Sequence, residues 1–131
     1  MLPGTPAPVA SYSPVNDVSL LSEDVAILPV AAVAEQFDIP VSRVHQLVRD
    51  GQLLSFRKDG EWVVPADFID GDTVVKGLPG TITVMRDGGY TDHEILRWLF
   101  AEDDSLPGTP VGSLKEGRHR EVKRRAQAMA F

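Results

Sequence analysis

Four polar side chains, Ser42, Arg43, Gln46 and Arg49, gather on one side of a helical wheel drawn over residues 41–50. Val41, Val44, Leu47 and Val48 take the other side. The polar set has the chemistry of groove reading. An Arg fork matches the two acceptors on a guanine edge, a Gln amide matches adenine, and a Ser hydroxyl suits a phosphate oxygen. His45 lies at the flank of the wheel, where packing and nucleic-acid contact both stay open. Further along, Arg57 and Lys58 stand beside Asp59-Gly60. A turn there would carry two cations to a phosphate backbone or a minor groove. Arg120, Lys123 and Arg124, near the C-terminus, are additional candidates for phosphate contact. A solvated basic face is the plainer reading of those three, with phosphate contact or a dimer helix as the alternatives.

Two short helices and a hairpin are needed to position the first six. Val30, Val33, Ala34 and Phe37 recur at helical spacing and predict a helix from about Pro29 to Phe37. Asp38-Ile39-Pro40 stops it: Asp tolerates a left-handed backbone, and Pro40 restricts Ile39 and opens the next helix. That helix runs from about Val41 to Asp50, with Gly51 as its stop. Leu53–Lys58 and Glu61–Val64 flank Asp-Gly, a strong hairpin signal. Leu54, Phe56 and Val63 are placed towards the core, and Trp62 is placed over the hairpin. Pro65 ends the second strand, and Ala66–Ile69 reads as a short helical turn. The fold class is therefore mainly α with a small β-hairpin: a winged helix-turn-helix followed by a C-terminal helical module.

The domain reading is a disordered tail over residues 1–26, the winged unit over 27–72, and a helical module over 73–131 packed on it. Pro3, Pro6, Pro8 and Pro14 break up the tail, and Thr5, Ser11, Ser13, Ser19 and Ser22 are hydroxyls a kinase could reach. In the last module a helix is predicted from about Pro79 to Arg86, stopped by Gly88-Gly89. Thr91 and Glu94 form a capping box ahead of a helix over Asp92–Ala101. Trp98 and Phe100 are assigned to packing. Residues 102–113 read as a loop, with Glu102-Asp103-Asp104 a solvated acidic helix end. One long helix is predicted from about Leu114 to Ala130.

The chain of 131 residues, 43% of them apolar, can build a core. With no cysteine it has no disulfide, thiolate site or cysteine nucleophile. No run of about 18 apolar residues would span a membrane, and no secretory signal is read at the N-terminus. The net charge of −6 argues against a polyanionic partner until its distribution is considered. Residues 41–62 carry four bases against three acids, and residues 113–131 carry six against two. Every other stretch is acidic. A local basic face governs phosphate contact, so the expected affinity is modest and salt-sensitive. The histidines His45, His93 and His119 fall in separate modules. No nucleophile elbow, phosphate loop or paired-carboxylate spacing is present, so no enzyme, metal or cofactor is expected.

The order helix, turn, helix ending RDGQL, basic hairpin and then WVVPADFI resembles the winged helix-turn-helix of excisionase-like and MerR-like DNA-binding proteins. Pro40 stands where those proteins usually place a Ser or Thr cap. KGLPG, DGGY, EILRWLF and the ending RRAQAMAF resemble the C-terminal part of a small actinobacterial family. Its mycobacterial member is a DNA-binding substrate of Ser/Thr protein kinase L. The resemblance covers about residues 27–131 and implies a cytoplasmic, nucleoid-associated regulator that binds double-stranded DNA, with a Ser/Thr protein kinase as a second partner. The tail does not carry over, so no kinase site is transferred to a given residue, and control through the tail hydroxyls is a separate expectation. A homodimer is left open. So is the alternative of a non-catalytic protein-interaction module on the same scaffold.

Overall fold

The computed structural model describes Leu21 and residues 24–130. The tail read over residues 1–26 therefore lies almost wholly outside the described residues, with all its candidate hydroxyls. The winged unit begins with a strand that sequence periodicity did not reveal, β1 (Ile27–Pro29). Next come α1 (Val30–Phe37) and α2 (Val41–Arg49), then β2 (Phe56–Lys58) and β3 (Glu61–Pro65). The sheet order is β1-β3-β2, all antiparallel. β1 runs along the free edge of β3, pairing Leu28 with Val64 and Pro29 with Val63. Three apolar residues are too short a run to show a period, so the sequence marks no strand between the tail and the helix predicted from about Pro29.

The joint between α1 and α2 follows from the backbone of Asp38, at φ 58° and ψ 48°. That left-handed residue lets Ile39 N–H reach the Ala34 carbonyl at 3.0 Å and closes α1. Val33 and Val44 are fully buried where the two helices meet. Val41, whose place on the apolar side of the wheel predicts burial, is instead 43% exposed. It opens α2 directly after Pro40, before the helix reaches the core. The hairpin tip is Asp59-Gly60, with φ 53° and 81°, so both residues take the left-handed conformation of a two-residue turn. Phe56 and Val63 pair across it and are buried, while Arg57 and Trp62 pair on the opposite, exposed face.

A 3-10 turn (Ala66–Phe68) leads into a two-strand hairpin, β4 (Ile69–Asp70) and β5 (Thr73–Val74). The hairpin spans the place where the sequence reading divides the chain. Three helices were predicted after it and four are found: α3 (Leu78–Asp87), α4 (Asp92–Leu99), α5 (Pro110–Lys115) and α6 (His119–Ala130). The single long C-terminal helix is thus corrected to two, with the first starting inside the presumed loop. Thr109 caps α5 by accepting from Gly112 N–H, and Pro110 begins it. Gly117, at φ 84°, ends it, and Arg118 N–H folds back to the Ser113 carbonyl at 2.9 Å. The capping box of α4 is present, with Thr91 and Glu94 exchanging bonds of 2.8 and 3.2 Å. The bond from Thr91 N–H holds the Glu94 carboxyl below its usual range.

One hydrophobic cluster runs through both halves, from Val30, Val33 and Val44 through Leu53, Val64 and Phe68 to Ile82, Leu96 and Val122. Phe68 packs on Phe100 with ring centroids 5.6 Å apart. α3 and α6 lie side by side in the same direction, brought close by glycines. A Cβ on Gly77 would meet His119 Cβ at 2.3 Å, and one on Gly88 would meet Ala130 Cβ at 2.4 Å.

Asp103 is not the solvated acid expected of it. Its side chain is 8% exposed. It accepts from Trp98 Nε1 at 3.0 Å, Ser105 N–H at 2.8 Å and Arg125 Nε at 3.1 Å, tying the end of α4 to α6. Burial alone would raise its pKa. The hydrogen bonds from Ser105, Trp98 and Arg125 outweigh that and hold it at about 2, against an ordinary 3.8. A carboxyl depressed in the folded state stabilises it above the unfolded pKa, and this is lost as pH falls through the folded one. The contribution at neutral pH is on the order of 1–2 kcal/mol. Asp103→Asn should therefore be less stable than wild type at pH 7. In denaturant titrations the gap should narrow as pH falls from 3.8 towards about 2. A gap independent of pH over that range would contradict the assignment.

Candidate nucleic-acid interface

Val44 anchors α2 in the core, so the opposite face of the helix must point outward. Ser42, Arg43, Gln46 and Arg49 are all exposed on it. Arg57 is exposed on β2 and Lys58 partly so. Arg43, Arg49, Lys58, Arg120, Lys123 and Arg124 make no ion pair among the described residues, so their charges are not neutralised by an adjacent carboxylate there.

The wing is held by its own cation. Arg57 Nη2 donates to the Gly60 carbonyl at 3.0 Å, and its guanidinium lies 5.5 Å from the centre of the Trp62 ring. Trp62 is 43% exposed and meets His45 of α2 edge-on at 6.2 Å. His45 therefore packs on the wing. A cleft of about 320 Å³ opens between α2, the wing and the start of α4, lined by His45, Arg49, Ser55, Trp62, Asp92 and His93 among others. Sequence reasoning brought neither Trp62 nor His93 to this place. Trp62 could have been suspected, because a Trp flanked by Glu61 and alternating with core Val63 must lie on the outer face.

The basic residues of α6 do not line this cleft. Arg124 lines a separate groove of about 270 Å³ with Ser105, Leu106, Glu121, Arg125 and Ala128. Lys123 runs beside Gly80 of α3. Three of the C-terminal cations are occupied: Lys115 pairs with Asp67, Arg118 with Glu116 and Glu121, and Arg125 with Asp103.

The end of α2 carries a contact that no local signal announced. Gly51, at φ 78°, stops the helix. Arg86 of α3 reaches across to its last carbonyls, with Nη2 3.0 Å from Val48 O and Nη1 3.3 Å from Arg49 O. Asp92 grips the same guanidinium through Nε at 2.9 Å and Nη2 at 2.8 Å. A cation at a helix C-terminus both satisfies spare carbonyls and complements the helix dipole. Among the described residues no cluster of side chains could hold a metal ion, and no helix is long and apolar enough to cross a membrane.

Helix, turn, helix and a three-stranded wing, joined to a bundle of four helices, define a winged helix-turn-helix protein with a C-terminal helical module. Comparison with known proteins narrows this. Residues 14–69 match the family described as DNA-binding protein Rv2175c, wHTH domain, and residues 75–130 match the Rv2175c C-terminal domain of unknown function. The DNA-binding protein Rv2175c of Mycobacterium tuberculosis is 40% identical over 142 residues, covering 98% of this chain and 97% of that one. The NMR structure of Rv2175c superimposes with a TM-score of 0.78 at 42% identity, over 85% of each chain. The chain belongs to the Rv2175c family.

The stacked wing gives a direct check. Arg57→Ala and Trp62→Ala should each cost little alone, and a double-mutant cycle in thermal unfolding should show a coupling of about 0.5–1 kcal/mol. Coupling indistinguishable from zero would mean that the two side chains stand independently.

Proposed function

We propose that this protein binds double-stranded DNA, with α2 in the major groove and the β2–β3 hairpin against the flanking backbone. The observation that carries the reading is the outward row Ser42, Arg43, Gln46 and Arg49 on a helix whose other side is fixed by Val44. In this reading Arg43 and Gln46 meet base edges, Ser42 and Arg49 meet bases or phosphates, and Arg57 and Lys58 contact phosphates from the wing. Arg120, Lys123 and Arg124 supply a second, non-specific phosphate surface. Family membership supports DNA as the ligand, since the relative named above is itself described as a DNA-binding protein.

The role inferred is transcriptional regulation, in the cytoplasm and on the nucleoid, by a winged helix of the excisionase and MerR kind. The tail over residues 1–26, with its five candidate hydroxyls, is proposed as the site of control by a Ser/Thr kinase. A phosphate there adds about −1.5 to −2 charges, which repel a DNA backbone.

Arg43→Ala and Arg49→Ala should each weaken binding to a duplex selected from a random pool by about 1–3 kcal/mol, with the melting temperature nearly unchanged. If either arginine contacts a phosphate, the slope of affinity against salt should fall by about one. Wild-type affinity in the double variant would refute the reading. For the tail, kinase treatment should weaken DNA binding of the full chain and leave a chain starting at Asp24 unaffected. An identical response from both would remove the tail from the mechanism.

A further inference from the structure

The C-terminal helices carry a side chain aimed at the proposed reading helix. Arg86 sits one residue before the end of α3, and Asp92 is the first residue of α4. The Arg86 side chain is 27% exposed and that of Asp92 37%, so this pair is partly withdrawn from water. Arg86 spends its fork in two directions. Nε and Nη2 lock onto both Asp92 oxygens, and Nη1 and Nη2 donate to the carbonyls of Arg49 and Val48. The four bonds fix the guanidinium plane, and through it the last turn of α2, from which Gln46 and Arg49 project.

The base of this brace is firm. α3 is pressed against α6 at Gly77 and Gly88, and Tyr90 Oη donates to the Met129 carbonyl just beyond Arg86. Asp92 opens α4 directly after Thr91, whose box with Glu94 fixes the start of that helix. Gly51 is shaped for the same contact, since a Cβ there would come within 3.3 Å of Arg86 Nη1.

We infer that Arg86, oriented by Asp92, is a positioning residue for DNA recognition, and that the C-terminal module serves to hold the recognition helix in its reading orientation. The inference rests on the assignment of α2 as the DNA-reading helix. It predicts an outcome that simple electrostatics does not. Asp92 lines the cleft beside Arg49, so removing its charge should favour a polyanion if charge alone mattered. A brace requires the opposite, because Asp92→Asn frees the guanidinium.

The test uses the full chain and a duplex selected from a random pool by the wild-type protein. Asp92→Asn and Arg86→Lys, which keeps the charge but loses the fork, should each bind about five- to tenfold more weakly. The salt slope should be unchanged, because no phosphate contact is lost. Amide exchange should quicken at Asp50, Gly51 and Gln52 while α6 stays protected. Binding by Asp92→Asn as tight as wild type or tighter would overturn the inference. So would undiminished binding by Arg86→Lys, or a uniform loss of protection through the fold. Arg43→Ala, measured alongside, separates the two levels: if it binds like wild type, the reading of α2 fails, whereas if only Arg43→Ala is weakened, the brace fails alone.

Discussion

An α-helix ends with carbonyls that its own backbone does not satisfy, and a nine-residue helix has little length over which to average that cost. α2 is such a helix. Its last turn is completed by Gly51 N–H and Gln52 N–H folding back and by the Arg86 guanidinium arriving from the other half of the chain. The need to satisfy those groups ties the two halves into one unit. Arg86 must stand at a set height, so α3 must be held along its length. The glycines at 77 and 88 allow that by letting α6 approach where any side chain would collide. Asp92 must also face Arg86, which fixes the start of α4 and the Gly88-Gly89 bend before it. The shared hydrophobic cluster follows the same path, from Val44 to Ile82 and Val122.

Electrostatics works locally in this molecule. A net charge of −6 would repel a polyanion from most of the surface, yet two of its acids are engaged by cations of the C-terminal helices. Asp92 is committed to Arg86, and Asp103 to Arg125, Trp98 and Ser105. On α2 and the wing, Arg43, Arg49, Arg57 and Lys58 stand against the exposed Asp50, Asp59 and Glu61. Because bases outnumber acids there by only one, affinity must depend on geometry more than on charge, which gives a brace on the helix something to contribute.

Features set by neighbours in the chain were legible in the sequence. Asp38 at the left-handed joint, Asp59-Gly60 at the hairpin tip and the Thr91–Glu94 box all appear where local chemistry puts them. The outward face of α2 was readable because the period of a helix and one buried Val determine it. Other features were not legible. Three residues of β1 show no period and become a strand only because β3 offers an edge. The break at Gly117 was overridden by a run of helix-favouring residues on each side, although Thr109-Pro110 marks a helix start. Asp103 looked solvated because its neighbours Glu102 and Asp104 are. Its partner Arg125 lies 22 positions away, and Arg86 lies 37 and 38 from the carbonyls it meets. Such contacts belong to the tertiary fold and leave no local trace.

In the proposed complex, α2 and the wing form the DNA-facing surface. Backbone amide shifts of the isotope-labelled chain, followed as a selected duplex is added, report that surface residue by residue. The largest changes should fall on residues 42–49 and 57–61, with smaller ones at Arg86 and Asp92. Changes centred on α6, with α2 and the wing undisturbed, would contradict the proposed complex.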